Sequence, residues 1–349
     1  MIDSSPKVTI VVLNYNGRRN LERFFPEVLN IAYPNREIIV LDGGSTDGSL
    51  DFLARFPDVG IVDQGDVTGV AHAMNVAAGN AEGELILFLA NDMWPHPDIL
   101  SHLVRILNSD QKIAICGPKV MAILEDGSLS DIIDHVGFEV DRYGFPKPRG
   151  FGERDRGQYD DFNTSWFFGS TEMLVRKEII ATVGYFDDSY ITLGEDLDFC
   201  WRVHENGYKI ALEPKAVIHH DMPLVHTTLT TRWSRGRLRY FAEKNTQRTV
   251  IKNYSSKMLA RIIPEYAALL IAEMGLFALI RRIDMLEADI RALLENILHF
   301  GEIWQLHALV QSSRVIPDER LVRTMNPRSY KFEILKNVIE HLKRPNVAG

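Results

Sequence analysis

Four clusters of carboxylate and amide side chains hold the chain's chemical potential: Asn14-Tyr15-Asn16, Asp42-Gly43-Gly44-Ser45, Asn91-Asp92 and Glu195-Asp196-Leu197-Asp198. Carboxylates so placed can hold a hard divalent cation, accept a proton or fix a polar ligand. The glycines at 43 and 44 permit a tight turn and close backbone approach to that ligand. Each cluster also has a plainer use. Asp92 can cap the helix that Pro97 opens, Asp42 and Asp47 can form turns or caps, and the acids at 195–198 suit a first helical turn.

Their position relative to strands separates these uses. Val8 to Leu13, Glu37 to Leu41, Gly60 to Val62, Leu85 to Leu89 and Ile113 to Cys116 read as strands. Between them Asn20 to Leu29, Leu50 to Phe56, Val70 to Ala78 and Asp98 to Leu107 read as helices. The run Leu85 to Leu89 is apolar on both faces, as a central parallel strand under helices must be. The alternation predicts an α/β fold, a mostly parallel Rossmann-like sheet with helices on both faces and right-handed crossovers. In such a sheet the carboxyl ends of the strands share one rim, so acids distant in sequence become neighbours.

From Val120 to Ser165 the pattern breaks, with Pro146 and Pro148, and reads as a hairpin and a long functional loop. Order returns at Trp166, with a strand at Met173 to Val175, a helix from Lys177 to Gly184, a helix from Glu195 to Glu205, and short strands at Ile210 to Leu212 and Val217 to Ile218. Beyond about Met222 only helical patterns remain. The expected division is therefore a catalytic domain at 1–221, with halves of about 1–118 and 119–221, and a helical region at 222–349.

A chain of 349 residues, 46% hydrophobic and 25% charged, is globular rather than disordered. Its net charge of -8 argues against nucleic acid as a partner. Cys116 and Cys200 are too few for a disulfide framework, which fits a reducing cytoplasm. No apolar leader precedes the first strand, so no signal peptide is expected, and no long uncharged apolar stretch predicts a spanning helix.

Taken in order, the motifs resemble the inverting transferases of glycosyltransferase family 2, including rhamnosyltransferase-like members. The resemblance covers roughly Val8 to Asp221. It is carried by Asp42-Gly43-Gly44-Ser45-Thr46-Asp47-Gly48-Ser49, by Gly69-Val70-Ala71-His72-Ala73-Met74-Asn75 leading through Gly83-Glu84 to Asp92, and by Gly194-Glu195-Asp196-Leu197-Asp198-Phe199-Cys200-Trp201-Arg202 with Gly207-Tyr208. It implies the GT-A fold and a nucleotide-sugar donor, UDP-, dTDP- or GDP-linked.

It also implies roles. Asp92 and His220 would hold a divalent cation, Mg²⁺ or Mn²⁺, against the departing diphosphate. His219 and His220 would point to opposite faces, so one of them serves. Asp196 would be the base, supported by Glu195 and Asp198, because clustered acids raise one another's pKa. Asp42 would accept the pyrimidine imide N–H, with Asn14, Tyr15 and Asn16 around base and ribose, Gly43 and Gly44 closing on the nucleotide, and Asn91 beside Asp92. Asn75 would face the donor sugar, Gly169 would let the backbone approach the donor, and Trp166 would form a platform for the acceptor sugar, beside Glu195. Two departures stand out: Ala90-Asn91-Asp92 keeps one carboxylate where relatives often have two, and Asp66-Val67-Thr68 lies where many carry Arg or Lys. A pocket that binds nucleotide sugar without turnover is the alternative. A dinucleotide oxidoreductase is disfavoured, since Asn14-Tyr15-Asn16-Gly17 replaces a G-x-G-x-x-G turn.

The C-terminal region adds a charge signal. Arg232, Arg235, Arg237, Arg239, Lys244, Arg248, Lys252, Lys257 and Arg261 face a single acid, Glu243, and precede the apolar run Ile262 to Ile280. Such a run suits an interfacial or packed helix. The expectation is a cytoplasmic enzyme attached peripherally to the inner face of the cell membrane through anionic lipid, acting on a glycan or lipid-linked acceptor, with an oligomer compatible.

Overall fold

The computed structural model describes residues 5–65, 69–221, 234–333 and 335–336. Its contacts separate two units: Met1–Phe138 with Pro148–Thr231, and Glu139–Lys147 with Arg232–Gly349. The expected boundary at Met222 lies outside the described residues.

The first unit is built on a nine-stranded sheet. Along its main path β3 (Gly60–Asp63), β2 (Arg36–Asp42), β1 (Val8–Asn14), β4 (Leu85–Ala90), β10 (Leu174–Arg176), β6 (Ile113–Ile123), β11 (Lys209–His220) and β5 (Met93–Pro95) succeed one another, and β7 (Leu129–His135) pairs with β6. β1 lies between parallel partners, with Val8 opposite both Arg36 and Leu85. Both faces of β4 are buried, Leu85, Leu87 and Leu89 on one and Ile86 and Phe88 on the other. The covering helices bury residues at helical spacing: Leu21, Phe24, Phe25 and Val28 on α1 (Arg18–Leu29), and Ile99, Leu100, Leu103, Val104 and Leu107 on α4 (Ile99–Ser109). The short α2 (Ser49–Leu53), α3 (Val70–Asn80), α5 (Lys177–Val183) and α6 (Glu195–Glu205) complete the layers.

Four features depart from expectation, each for a local reason. β10 runs antiparallel to both β4 and β6. β6 continues through Gly117-Pro118, which reads as a breaker; a Cβ on Gly117 would lie 2.3 Å from the Phe168 ring, so the glycine makes room for that ring. β7 arises inside the stretch read as a hairpin and loop, making an antiparallel hairpin with β6. The two short strands expected near the end of this unit are one, β11, with a register shift between Glu213 and Val217 around Pro214. β8 (Phe138–Val140) and β9 (Pro146–Pro148) form a separate two-stranded hairpin.

The second unit is helical: α7 (Arg235–Asn253), α8 (Ser256–Leu279), α9 (Ile283–Leu298), α10 (Phe300–Ser313) and α11 (Asp318–Val322). Ser234 and Ser255 cap α7 and α8, accepting from the backbone N–H of Arg237 and Met258. The basic stretch is not the free cationic face its composition suggests. Arg239 pairs with Glu243, Glu273 and Asp289, Arg248 with Glu302, and Lys244, Arg248 and Lys252 are buried. Acids from neighbouring helices neutralise Arg239 and Arg248, a pairing that sequence distance conceals, while Arg235, Arg237, Lys257 and Arg261 are exposed; Arg232 lies outside the described residues. α8, at mean hydropathy 1.7, is long and apolar enough to cross a membrane, and 28% of that window is buried.

Lys331 is buried between Glu243 and Glu273, at 2.9 and 2.6 Å. Lys331→Met strips these two buried acids of one cation and is expected to lower stability by about 3–5 kcal/mol, measured by urea denaturation followed by far-UV circular dichroism.

Candidate active site

At the carboxyl ends of β1, β2 and β4 the register sets Asn14 beside Asp42 and Leu13 beside Ala90. Side chains then lock the rim. Asn14 donates to Asp42 Oδ2 at 2.7 Å, and Asn91 donates to Asn14 Oδ1 at 2.7 Å while accepting from Asn20 at 3.0 Å. Asp42 also takes the Ser45 backbone N–H on Oδ1 and the Ser45 hydroxyl on Oδ2. Its side chain is fully buried. Asp42 thus organises the turn, and its carboxylate is buried in this structure. Asn91 is a brace of the same kind. Gly44, at φ +80°, would place a Cβ 1.6 Å from Gly65 O, so the turn closes on the neighbouring loop only with glycine there. Gly43 donates its N–H to Asn14 O. Tyr15 (38% exposed) and Asn16 are open to solvent at this rim. Asp66, Val67 and Thr68 lie outside the described residues.

Beside this turn stands the second group. Asp92 Oδ1 is a buried oxygen without a hydrogen-bond partner, 3.7 Å from His220 Nε2. His220 Nδ1 is held by Asp134 Oδ2 at 2.9 Å. Burial alone would lower the imidazole pKa, but Asp92 and Asp134 on either side outweigh it and hold His220 well above the usual range. Its neighbour His219 turns away, stacks on His96 at 5.2 Å and is pushed down to about 4 by burial and that ring. Of the two histidines, then, His220 is the one that meets Asp92.

The third group sits at the start of α6. The antiparallel register of Leu174 with Leu87, and the bond from Phe88 N to Met173 O, bring the segment before β10 alongside the carboxyl end of β4. From it Ser170 donates to buried Glu195 at 2.9 Å. Asp196 is partly buried, and burial, then the charges of Glu195 and Glu172, push its carboxyl well above the ordinary range. Glu172 in turn meets buried His135, Nε2 to Oε2, at 2.8 Å.

Several expected roles change here. Asp198 is fully buried and paired with Arg202 at 3.1 Å, which itself donates to the carbonyls of Val183, Gly184 and Tyr185. Two residues along a helix face opposite ways, so Asp198 secures the loop after α5 instead of supporting Asp196. Trp166 is 6% exposed, packed against Trp201 and His204, and is a core aromatic, not a sugar platform. Asn75 donates to Phe186 O and Asp188 Oδ1 and accepts from Phe186 N; its amide ties α3 to that loop and does not face a donor sugar. Gly169 makes way for a protein side chain, since a Cβ there would meet Glu172 Oε1 at 3.1 Å.

Asp134, His135 and Glu172 were not anticipated. They lie in or after the stretch whose glycines and prolines hide any strand period, where the structure has the strand Leu129–His135.

The profile of glycosyl transferase family 2 matches residues 9–184. The poly-beta-1,6-N-acetyl-D-glucosamine synthase of Staphylococcus aureus is 24% identical over 268 residues, which are 76% of this chain and 60% of that protein. The chain thus spans about 60% of the length of the curated relatives it matches first. Among solved structures, the mannosyltransferase PcManGT of Pyrobaculum calidifontis, in complex with GDP-Man and Mn²⁺, aligns with TM-score 0.51 at 17% identity over 98% of this chain and 88% of that one. GalNAc-T7 with UDP, GalNAc and Mn²⁺ aligns with TM-score 0.59 at 18% identity, over 73% and 49%. The fold is GT-A, as the motifs implied.

An acid whose folded pKa is raised fits its site protonated, so its contribution is lost as pH rises through the window from about 3.9 to the raised value. Asp196→Asn removes that cost. Its melting temperature is expected to exceed wild type at about pH 8, with the gap closing as pH falls toward about 4, read by calorimetry across pH.

Proposed function

This chain belongs to glycosyl transferase family 2, and on that premise we propose that it moves a sugar from a nucleoside-diphosphate sugar to an acceptor hydroxyl with inversion. The observation that carries the reading is the shared rim: Asp92 at the end of β4, and Asp196 brought beside that end through Ser170 and Glu195. Direct displacement needs a proton acceptor on the face of the ring away from the diphosphate. Asp196 is that acceptor; burial and then the charge of Glu195 raise its pKa and with it its basicity.

A divalent cation, Mg²⁺ or Mn²⁺, fits the opposite side. Asp92 Oδ1 is buried without a partner, and His220 presents Nε2 toward it with Nδ1 fixed from behind. Bound there, the cation would neutralise charge growing on the departing diphosphate. Among the described residues no group of three or more His, Cys, Asp or Glu is arranged to hold a metal, so oxygens of the diphosphate and water complete the set. The Mn²⁺ named with the mannosyltransferase and with GalNAc-T7 supports this choice, and their nucleotides support a UDP- or GDP-linked donor beside the dTDP alternative.

For the acceptor we propose a growing glycan or lipid-linked hydroxyl, in keeping with the polymer named for the S. aureus relative. Residues 1–221 carry donor (about 1–118) and acceptor (about 119–221) recognition, and 222–349 approach a membrane from the cytoplasmic side. The support for membrane contact is apolar: Ile271 on α8 and Leu279 at its end are 69% and 78% exposed, and Leu294, Ile297 and Leu298 are open on α9. Arg239 and Arg248 are paired internally and Lys244 and Lys252 are buried, which leaves Arg235 and Arg237 as the exposed cations of α7, so the attraction is chiefly hydrophobic. Liposome flotation is therefore expected to persist at high salt, and loss of the bound fraction on adding salt would restore the electrostatic account.

Asp196→Asn is expected to cut kcat for transfer by about 10²–10⁴-fold with donor affinity within a few-fold of wild type. The measurement is steady-state release of nucleoside diphosphate with thermal-shift titration of the donor. Equal turnover by the variant would remove Asp196 from the role, and donor binding without turnover in wild type would favour a binding pocket that has lost catalysis.

A further inference from the structure

β7 pairs with β6 through an irregularity: Val120 faces His135 and Met121 faces Ile133, so Asp134 is the extra residue of a bulge. A bulge re-aims side chains that regular pleating would alternate. Here it sends two consecutive residues to the two halves of the site. Asp134 Oδ2 binds His220 Nδ1 at 2.9 Å, and His135 Nε2 meets Glu172 Oε2 at 2.8 Å, beside the acids that surround Asp196. Asp134, His135 and Glu172 are all at most 6% exposed, so none reaches a substrate directly.

We propose that the Asp134-His135 bulge is a paired positioning device: Asp134 orients His220 toward the Asp92 side, and His135 fixes Glu172 against the Asp196 side. The proposal rests on the transferase reading above. A carboxylate behind a ligand imidazole fixes the ring's rotation and tautomer, so that Nε2 is presented and Nδ1 is occupied. The bond from Gly137 N to His135 Nδ1, at 3.2 Å, does the same for the second ring and leaves its Nε2 facing Glu172 Oε2 in an ion-pair contact of 2.8 Å. Glu172 is thereby held in the segment whose Ser170 binds Glu195, the chain neighbour of Asp196. A single backbone irregularity thus sets both the metal-side ligand and the surroundings of the base.

The two arms separate experimentally. Mn²⁺ binding in the presence of UDP or GDP, followed by electron paramagnetic resonance of free Mn²⁺, reports the first arm without turnover. Asp134→Ala is expected to weaken Mn²⁺ by about 10–100-fold, with kcat largely restored at saturating Mn²⁺. His135→Leu is expected to leave Mn²⁺ affinity unchanged and to lower kcat at least tenfold at every Mn²⁺ concentration, whereas His135→Gln, which keeps an N–H for Glu172, restores part of it. Thermal-shift response to nucleotide confirms that each variant is folded. Should His135→Leu not fold, His135→Gln alone decides, with kcat reduced and Mn²⁺ affinity intact supporting the device. Equal loss of both parameters in both variants, or no change in either, overturns the paired role. Wild type that binds no Mn²⁺ with nucleotide overturns the metal-side reading itself, a result distinct from normal wild-type binding left untouched by Asp134→Ala.

Discussion

The site depends on one constraint, the register of β1 between two parallel partners. Because Asn14 pairs with Asp42 on one side and Leu13 with Ala90 on the other, three strands end at the same level. Their terminal polar residues can then do only two things: satisfy one another or meet a ligand. Asn14, Asp42, Ser45 and Asn91 take the first course, forming a closed set of charge-assisted and amide hydrogen bonds. Asp92, one residue further, is left with a buried oxygen that has no hydrogen bond and faces His220 Nε2 at 3.7 Å. Rigidity in the first set is what holds the second in place, since a buried carboxylate oxygen without a partner persists only where its surroundings cannot relax.

The two units treat buried charge differently. In the helical unit Arg239, Lys331, Glu243, Glu273 and Asp289 form a network in which opposite charges are in contact. In the sheet unit Glu172, Glu195 and Asp196 are all acids: burial, then the charges of Glu195 and Glu172, raise the pKa of Asp196, and His135 is in contact with Glu172. A matched network specifies packing; an unmatched cluster carries a cost that packing does not explain. That contrast is why the acidic group, and not the larger ionic network, is read as functional.

Much of this was legible in the chain. Unbroken apolar runs gave β1, β2 and β4 and hence the rim on which Asp92 falls, while the choice of Asp196 came from the family resemblance. What was not legible depended on partners far away in sequence. Asn75 looked available because nothing local reveals that the Phe186–Asp188 loop takes its amide, and Asp42 because nothing local reveals its bond from Asn14. The arginines and lysines of α7 looked like a basic patch because their acids come from other helices. Asp134 and His135 were lost within a segment where Gly117-Pro118, Pro146 and Pro148 disguise long strands as loops. Pattern reports which face is buried; it does not report which polar atom is already spoken for.

The reversed strand β10 has a further bearing on how such a chain can diversify. In a uniformly parallel sheet every rim loop departs from a strand, so its conformation is tied to the strand that launches it. Residues 169–172 instead arrive at the rim before entering β10, and their upstream chain is the irregular stretch following Pro148. Insertions or replacements upstream can therefore be absorbed without disturbing the turns at 14–16 and 42–45, so that one side of the rim is free to drift while the other stays fixed.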